Sequence, residues 1–349
     1  MRKIVQLILC LFFLRSTAGV REVAFYKVTP ADAPPVLDGK LDEPCWKKAE
    51  VLSRYWQYGK PNPPRSPLKT EFRAVYHDNG LYVGIVNHDD QMELLRKNFQ
   101  EDDNVDLWRD DCAELYFDPD ANGIGHTVFT VNPAGVKADR KRLDTVVYLW
   151  DWNGLNWQTS ASIEKKQWVL ELFFSWEDLG QKAVPGDLWQ FLHARYAWKE
   201  RFTGAASAAG ADSRVTEKFG YLFFCGKTPV TPQKTAEILQ GKVLIPCILP
   251  AGKELIRFSE TGTRIEPMEK VVKEAWMEYS ALLEDIKRLH RGEIPEACRE
   301  TVGNCEKLHG DVSLTAYQLL NTAKEKLFKL KWEYLLDLHF NLPEGDKAK

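Results

Sequence analysis

The sequence has no excess of charge of either sign, and it lacks the common catalytic motifs. Its 47 Lys and Arg residues balance 50 Asp and Glu residues, which leaves a net charge of -3. Because phosphate binding needs a positive excess, we do not expect nucleic acid as a partner. The sequence has no Ser/His/Asp nucleophile motif, Gly-rich phosphate loop or HExxH motif. We therefore expect a non-catalytic protein.

Cysteine is scarce, with seven residues, and no pair has the CxxC spacing of a zinc site. Cys298 and Cys305 would lie on one face of a predicted helix, too far apart for a bridge within it. A chain of 349 residues can bury a core without disulfides, so we expect some free, buried thiols.

The longest apolar run lies at the N-terminus. A basic MRK precedes IVQLILCLFFL, and small residues follow up to Ala18. This order is typical of a secretory signal peptide, here residues 1–18, and predicts export to the periplasm or the extracellular space. The apolar run is shorter than the ~20 residues of a membrane-spanning helix. No later run approaches that length, so we expect no membrane span after removal of the signal.

Residues 22–228 have the pattern of an antiparallel β-sandwich, jelly-roll-like in architecture. Short alternating or apolar runs recur, among them TEFRAVYHDNGLYVGIVNHDD, DCAELYFDPDANGIGHTVFTVNPAG, QWVLELFFSW and KFGYLFF. HDNG and DPDANG supply Gly and Asn, which tolerate the positive φ of tight turns between strands. Many short strands at this spacing predict a mostly β domain.

Residues 266–341 have a helical period instead, with apolar residues at steps of three and four. The two stripes are Val272, Ala275, Trp276, Tyr279, Leu283 and Ile286, and Leu320, Ala323, Leu327, Leu330, Tyr334 and Leu338. Amphipathic helices must bury their stripes, so self-association through them is one expectation. Residues 229–265 contain four prolines and an apolar KVLIPCIL. They form either a linker or extra strands that dock the helices.

The stretch DLWRDDCAELYFDPDANG, residues 106–123, combines one tryptophan with several acidic residues before an alternating strand. Because successive side chains of a strand point to opposite faces of the sheet, the residues of this strand divide into a set that faces the core and a set on the opposite face. The core set is Ala113, Leu115 and Phe117, and the opposite set is Cys112, Glu114 and Tyr116. The opposite face is either a solvated strand edge or the floor of a binding site. Trp108, among charged neighbours, is expected to be half-exposed at the entrance to this strand.

Six blocks in order resemble the family 9 carbohydrate-binding modules. The blocks are PPVLDGKLDEPCWKKAE, EFRAVYHDNGLYVGIV, WRDDCAELYFD, WVLELFFSWEDLG, GDLWQFLHARY and KFGYLFF. They cover residues 34–225, about the whole β region, and do not reach the C-terminal helices. The resemblance implies a β-sandwich, often with structural calcium, that binds oligo- or polysaccharide and is associated with polysaccharide breakdown.

The resemblance also implies a site in which two tryptophans sandwich a terminal sugar. Trp108 matches the first of them, Glu114 matches a carboxylate that accepts sugar hydroxyls, and Asn132 matches an amide on the paired strand. An indole beside hydrogen-bonding groups suits a pyranose ring, and stacking adds ~1 kcal/mol beyond buried area. We therefore predict Trp108 as the stacking platform.

This sequence departs from the family pattern at two positions. Thr130 stands where other members place an arginine, and Ser213 stands, by spacing, where they place the second tryptophan. We expect Tyr196 or Trp198, from the neighbouring strand, to replace that tryptophan. If neither does, the ligand differs or the site has become scaffold.

The segment WDWNGLNW, residues 150–157, brings together three tryptophans. In an extended chain Trp150 and Trp152 share a face, and the following NG indicates a hairpin tip. Exposed aromatics there suit stacking on polysaccharide. The alternative, aromatics that close one end of the sandwich, is favoured by the composition of ordinary cores.

Metal binding is open on the sequence. DPDANGIGHTVF begins like an EF-hand loop, but Phe129 stands where the bidentate Glu belongs, so we interpret it as a hairpin turn. The remaining oxygen ligands would suit a looser calcium site. These are Asp118, Asp120 and Asn122. Asp111, which begins the strand, could separately bind either a backbone N–H or a calcium ion.

Three other functions remain open. Asp111 with Glu114 or Glu171 could form the carboxylate pair of a glycosidase. A haem-binding domain of the related sandwich type would need axial ligands. The candidates are His77, His88, Met92, His126 and His193. A structural or assembly protein would dock a partner through the sandwich and dimerise through its helices.

Overall fold

The computed structural model describes residues 21–341 except 61–62, 145, 200–201, 227, 229 and 244–245. The predicted signal peptide, residues 1–18, lies outside the described residues. The described chain divides into two units, residues 21–231 and the residues from 232 onwards. None of the described helices combines the length and the apolar character that a bilayer span requires.

The first unit is built from strands and a few short helical turns. Its strands are β1 (Arg21–Glu22), β2 (Phe25–Pro30), β3 (Trp56–Gln57), β4 (Thr70–His77), β5 (Gly80–His88), β6 (Cys112–Asp118), β7 (His126–Val131), β8 (Lys137–Arg142), β9 (Tyr148–Leu149), β10 (Gln158–Ile163), β11 (Gln167–Ser175), β12 (Leu188–Ala197), β13 (Thr203–Ala206) and β14 (Gly220–Phe224). Its helices are α1 (Pro44–Lys48) and α2 (Trp176–Leu179), with 3-10 turns at Met92–Leu94, Leu107–Arg109 and Thr216–Lys218.

Strands β2 to β14 form two sheets that are joined through β2. One sheet has the order β10-β11-β5-β4-β2 and the other β2-β14-β12-β6-β7-β8-β9, with β13 and β3 beside β12. The described ladders of both sheets are antiparallel except those of β2, which lies parallel to β14 and to β4. Phe117 and Phe129 of one sheet contact Phe174 of the other, with ring centroids 5.4 and 4.6 Å apart. The first unit is therefore the predicted antiparallel-dominated sandwich.

Strand β6 buries both of its faces. The predicted core set, Ala113, Leu115 and Phe117, lies between the sheets. The opposite set is also covered, because Cys112 and Tyr116 pack with Ala206, Ala208 and Phe219 in a second apolar cluster. Of the two alternatives for this face, the solvated edge is wrong, since the alanine-rich segment that follows β12 folds back over it.

The second unit combines a small sheet with helices. Its elements are α3 (Pro232–Leu239), β15 (Cys247–Ala251), β16 (Glu254–Ser259), β17 (Gly262–Pro267), α4 (Met268–Leu289), α5 (Glu296–Glu306) and α6 (Leu314–Asn341). The three strands form antiparallel ladders. Ile248 and Leu255 from these strands pack in one core with both predicted helical stripes, for example Ile286 and Leu320. The C-terminal helices are therefore confirmed, and residues 229–265 hold a helix and strands.

Of the six described cysteines, Cys45, Cys112, Cys225, Cys298 and Cys305 are free thiols, as expected for some of them. Five of the six are buried, including Cys298 and Cys305 on α5. Burial raises the pKa of both thiols, which keeps them protonated and unreactive at neutral pH.

Candidate functional site

A small cleft opens where the loop before β6 meets strands β7 and β8. Two tryptophans, Trp108 and Trp150, line it. The polar lining includes Asp103, Thr130, Asp139 and Arg140. Thr130 and Arg140 project from the sheet face opposite the inter-sheet core, since their neighbour Phe129 points into that core. The cleft is thus a groove with aromatic walls and a polar floor.

The first wall is Trp108, which is 39% exposed. It sits on the 3-10 turn Leu107–Arg109, whose Leu107 is buried and anchors the turn. Trp198 packs against it with ring centroids 5.5 Å apart, and the Trp198 indole N–H donates to the Trp108 carbonyl at 2.8 Å. The Trp198 backbone N–H also donates to Asp111 Oδ1 at 2.6 Å. Trp108 is therefore held in place before any ligand arrives.

Trp198 supports the first wall and does not form the second one. Ring centroids 5.5 Å apart leave no room for a sugar ring between Trp108 and Trp198. Tyr196, the other predicted replacement, is buried and packs against Tyr58 and Phe202. Ser213 donates its backbone N–H to the Tyr58 hydroxyl at 3.1 Å. None of these predicted positions lines the cleft.

The second wall is Trp150, which is 55% exposed. Tyr148 on the edge strand β9 stacks against it, with centroids 5.2 Å apart and planes 23° apart. Trp152 lies elsewhere and contacts Phe129 of the core at 6.1 Å. The common face of Trp150 and Trp152 required an extended chain, and a turn at residues 150–151 interrupts the chain there. Within the WDWNGLNW segment, Trp150 therefore forms a wall of the cleft, and Trp152 packs against the end of the core.

A three-strand hydrogen-bond network forms the floor. Glu114 on β6 is 2% exposed, so it is not the solvated carboxylate that the alternative of a strand edge implied. Its Oε1 accepts from Arg140 Nη2 at 3.0 Å and from Thr130 Oγ1 at 3.1 Å, and its Oε2 accepts from the Tyr116 hydroxyl. Arg140 Nη1 in turn donates to Thr130 Oγ1 at 3.3 Å. Arg140 thus places a guanidinium beside Thr130.

Glu114 is a carboxylate in this network. Burial acts to raise its pKa, but the charge of Arg140 and the hydrogen bonds from Tyr116 and Arg140 outweigh burial, so the pKa lies below its usual range. Arg140 is therefore a cation whose charge is compensated by the Glu114 carboxylate beneath it. Its remaining surface faces the cleft, next to Trp150, with the guanidinium carbon 5.5 Å from the indole centre.

Asn132 lies under the cleft and uses its amide within the protein. It is 0% exposed, and its Nδ2 donates to Phe99 O at 3.1 Å and to Asp110 Oδ2 at 3.0 Å. Its Oδ1 accepts the backbone N–H groups of Ala134 and Val136, both at 3.0 Å. Its hydrogen-bonding groups are thus occupied, and Asn132 fixes the β7–β8 turn to the segment before β6.

Two carboxylates border the cleft near Trp150. Asp139 is 6% exposed, and its Oδ2 accepts from the Trp157 indole N–H at 2.6 Å. Burial, reinforced by the charge of Asp103, raises the pKa of Asp139 to about 6. Asp103 adopts a positive φ of 60°, and its Oδ2 accepts from Asn153 Nδ2 at 2.7 Å. A non-glycine residue in this conformation is uncommon and often marks a functional loop.

The other predicted sites are not assembled at the cleft. Glu171 lies on β11 of the other sheet, where it accepts from the backbone N–H groups of Asp38 and Gly39 and from the Trp46 indole. Asp118 caps the β6–β7 hairpin by accepting from Gly123 N at 2.9 Å, as interpreted from the sequence. The described part of the chain holds no group of three His, Cys, Asp or Glu side chains arranged for a metal ion. The described cleft lining includes no His or Met.

Comparison with known proteins agrees with the sequence blocks. Residues 37–177 match the model of the carbohydrate family 9 binding domain-like family. One similar solved structure is a family 9 carbohydrate-binding module from Caldicellulosiruptor kristjanssonii in complex with cellotriose, with 17% identity, coverage of 60% of this chain and 100% of that chain, and a TM-score of 0.46. Another is a family 9 module from the same organism in complex with glucose, with 16% identity, coverage of 58% and 97%, and a TM-score of 0.45.

None of the curated proteins compared with the chain matches it. The matched range contains both cleft walls and the floor residues, from Asp103 to Trp150. Trp198, which supports Trp108, lies beyond it. The first unit of this chain therefore contains a CBM9-like domain, and the matched family is one of binding domains rather than of enzymes.

Proposed function

We propose that the cleft binds a saccharide without catalysis, with one sugar ring held between Trp108 and Trp150. The observation that carries the proposal is that both indoles are partly exposed, line one cleft and are each backed by a second aromatic ring. Indole faces pack well on the C–H faces of pyranose rings, and rigid walls lose little entropy on binding. Both indoles and the floor residues fall within the matched family range, whereas Trp198, the ring behind Trp108, lies beyond it.

Hydroxyl recognition is assigned to the cleft floor. Arg140 can donate to sugar oxygens, and Thr130 places its hydroxyl beside it. Glu114 and Asn132 lie beneath the cleft and do not contact the sugar. Glu114 orients Arg140, and Asn132 fixes the turn between β7 and β8. Both are positioning residues in this proposal. Buried hydrogen bonds that fix a binding group add specificity, because a misplaced partner would leave that group unpaired.

The proposal includes export and a role in polysaccharide breakdown. Export is supported by the signal-like residues 1–18, which lie outside the described residues. The association with polysaccharide is supported by the family match. Secretion of the full-length protein from a host cell, with loss of the first 18 residues by mass spectrometry, would test the first part.

Isothermal titration of the full-length protein tests binding directly. The ligand panel is glucose, cellobiose, cellotriose and xylotriose, with free and with reduced ends. We expect micromolar to millimolar binding that falls at least tenfold in Trp108→Ala and in Trp150→Ala. Trp152→Ala is the matched control, since Trp152 lies in the same segment but packs on the core. No heat with any glycan, or full binding by Trp150→Ala at an unchanged melting temperature, would refute the proposal.

A further inference from the structure

A row of three aromatic rings begins at the cleft wall Trp108 and continues outside the cleft. Trp198 contacts Trp108 with ring centroids 5.5 Å apart, and Phe202 contacts Trp198 with centroids 4.7 Å apart. The second contact follows from the strand register, because Ala197 of β12 faces Thr203 of β13 and Trp198 and Phe202 are the next pair. Trp108 and Phe202 are 39% and 42% exposed, so both ends of this row, the aromatic strip, are open to solvent.

The aromatic strip lies on the same sheet face as the cleft floor. Trp198 packs against the apolar cluster that contains Cys112 and Tyr116 of β6. Glu114 of the cleft floor lies between those two residues in the strand, and side chains two positions apart in a strand point to the same face. A glycan that leaves the cleft over Trp108 therefore stays on one face of the sheet when it reaches Trp198 and Phe202.

The Phe202 ring is held in place by its neighbours. A Cβ atom at Gly204 would lie 3.3 Å from Phe202 Cζ and 2.9 Å from Tyr58 Cβ, so a larger residue at that position would displace one of the two side chains. The Tyr196 ring contacts the Phe202 ring with centroids 5.5 Å apart. The local packing thus fixes an apolar ring that remains 42% exposed, and an exposed ring of this kind gains free energy only when something covers it.

We propose that Phe202 forms a second sugar-binding position, on which a later ring of a glycan stacks while the first ring lies between Trp108 and Trp150. The proposal rests on the saccharide-binding function above, and it adds that the ligand is an oligosaccharide or a chain end rather than a single sugar. The steps of 5.5 and 4.7 Å along the strip are similar in length to one pyranose unit of an extended glycan.

The size and chemistry of the strip favour a sugar over a protein partner. A pyranose packs its C–H groups on an aromatic face and keeps the hydroxyls at its edge in water. A specific protein interface buries ~800 Å² on each partner. The strip consists of three partly covered rings, and an aromatic side chain offers only roughly 150–250 Å² when it is wholly buried. Its exposed area is therefore sufficient for one or two sugar rings but small for a protein.

The expected contribution of Phe202 is moderate. Stacking on one aromatic ring changes a binding constant by roughly three- to tenfold. Because the ring is already fixed by Tyr196 and Trp198, little conformational entropy is lost when a sugar covers it. The gain should appear only with a ligand that is long enough to extend beyond the cleft.

The experiment compares a monosaccharide with its trisaccharide by isothermal titration of the full-length protein. The two pairs are glucose with cellotriose and xylose with xylotriose. The native protein should bind the trisaccharide of at least one pair three- to tenfold more tightly than the monosaccharide. Phe202→Ala should lower the affinity for that trisaccharide by three- to tenfold and leave the affinity for the monosaccharide unchanged. Phe202→Tyr keeps an aromatic face and should retain the affinity for the trisaccharide.

Phe328→Ala is the matched control. Phe328 is a phenylalanine of similar exposure, 39%, on α6 of the second unit, and its removal should change neither affinity. Melting temperatures show whether each variant is folded. If Phe202→Ala is unstable, Phe202→Gln repeats the test with a longer side chain that has no aromatic face.

The outcomes separate the two proposals. If the monosaccharide binds but the native protein binds the trisaccharide no more tightly, the second position is refuted and saccharide binding stands. Unchanged trisaccharide binding by Phe202→Ala also refutes it, and a protein partner would then be the remaining use of the strip. Equal losses for both ligands would show that Phe202 acts only through Trp198 and Trp108, which overturns the proposal. If no saccharide binds, the saccharide function itself fails and the second position fails with it.

Discussion

Arg140 reaches across one full strand to Glu114, with Nη2 of the arginine 3.0 Å from Oε1 of the carboxylate. Thr130, on the strand between them, bonds to both partners. The three side chains come from β6, β7 and β8 and lie side by side on one sheet face, as same-face residues of neighbouring strands do. This pair is the structural base of the cleft floor.

Removal of either side chain of the Glu114–Arg140 pair should destabilise the protein. Glu114→Ala leaves a buried guanidinium and Arg140→Ala leaves a buried carboxylate, and each should lower the free energy of unfolding by about 3 kcal/mol. The double variant should lose less than the sum, which urea denaturation of all four chains measures. Arg109→Ala, at an exposed pair, is the control and should change little. Additive losses would show that the two charges are not coupled.

Trp198 should affect binding without touching the ligand. Trp198→Ala removes the ring behind Trp108 and the hydrogen bond to its carbonyl, so Trp108 gains rotational freedom. We expect several-fold weaker saccharide binding, because the wall must then be ordered at each binding event. Trp198→Phe keeps a ring and should retain most of the affinity. If Trp198→Ala bound as tightly as the native protein, Trp108 would not need its support.

Asn132 should act on stability rather than on affinity. Asn132→Ala removes two donors and an acceptor that serve Phe99, Asp110 and the β7–β8 turn, and should lower the free energy of unfolding by about 2 kcal/mol. Asn132→Asp should be worse at pH 7.5, since it places a second carboxylate beside Asp110, and should recover partly at pH 5. Urea denaturation at both pH values measures this. A variant with normal stability but lost affinity would instead make Asn132 a direct sugar contact.

Regular periodicity made the fold predictable from the sequence. The core-facing residues of β6 recur with a period of 2, and the apolar stripe of α4 recurs with a period of 3.6. Because each of these apolar residues is buried on the same face of its element, the period shows in the sequence. The family blocks added the order of the strands. The covered outer face was not predictable, because its cover is a run of alanines after β12 that has neither period.

Of the two cleft walls, only Trp108 could be predicted from the sequence. Trp108 stood out because charged neighbours surround it in the sequence. Trp150 was singled out as an exposed aromatic but not as the opposite wall, since an irregular turn, not a strand, aims it at the cleft. The role of Arg140 depends on a contact between residues 26 positions apart, across an intervening strand. The lysine- and arginine-rich KADRKR strand gave no signal as to which cation would pair with Glu114.

Acid should destabilise the protein through His126. This residue is 5% exposed, its ring contacts Tyr116 and Phe219 at centroid distances of 5.5 and 5.4 Å, and neither ring nitrogen has a hydrogen-bond partner among the described residues. Burial, with the charges of Arg142 and Arg140, lowers its pKa to about 3. The folded state thus binds fewer protons than the unfolded state below the ordinary histidine pKa of about 6.5, so stability is present above that pH and is lost as the pH falls.

The variant His126→Phe isolates this effect. Linkage gives a loss of about 2 kcal/mol between pH 7.5 and pH 5 from this one side chain, and the phenylalanine should remove that share. His193, whose pKa is also lowered to about 3 by burial, acts in the same direction, and Asp139, whose pKa is raised to about 6, acts in the opposite one. The native protein and the variant share the contributions of His193 and Asp139, so these contributions cancel when the two pH dependences of stability are compared. Urea denaturation at the two pH values measures the difference, and equal losses in native and variant protein would show that His126 is not the acid-sensitive group.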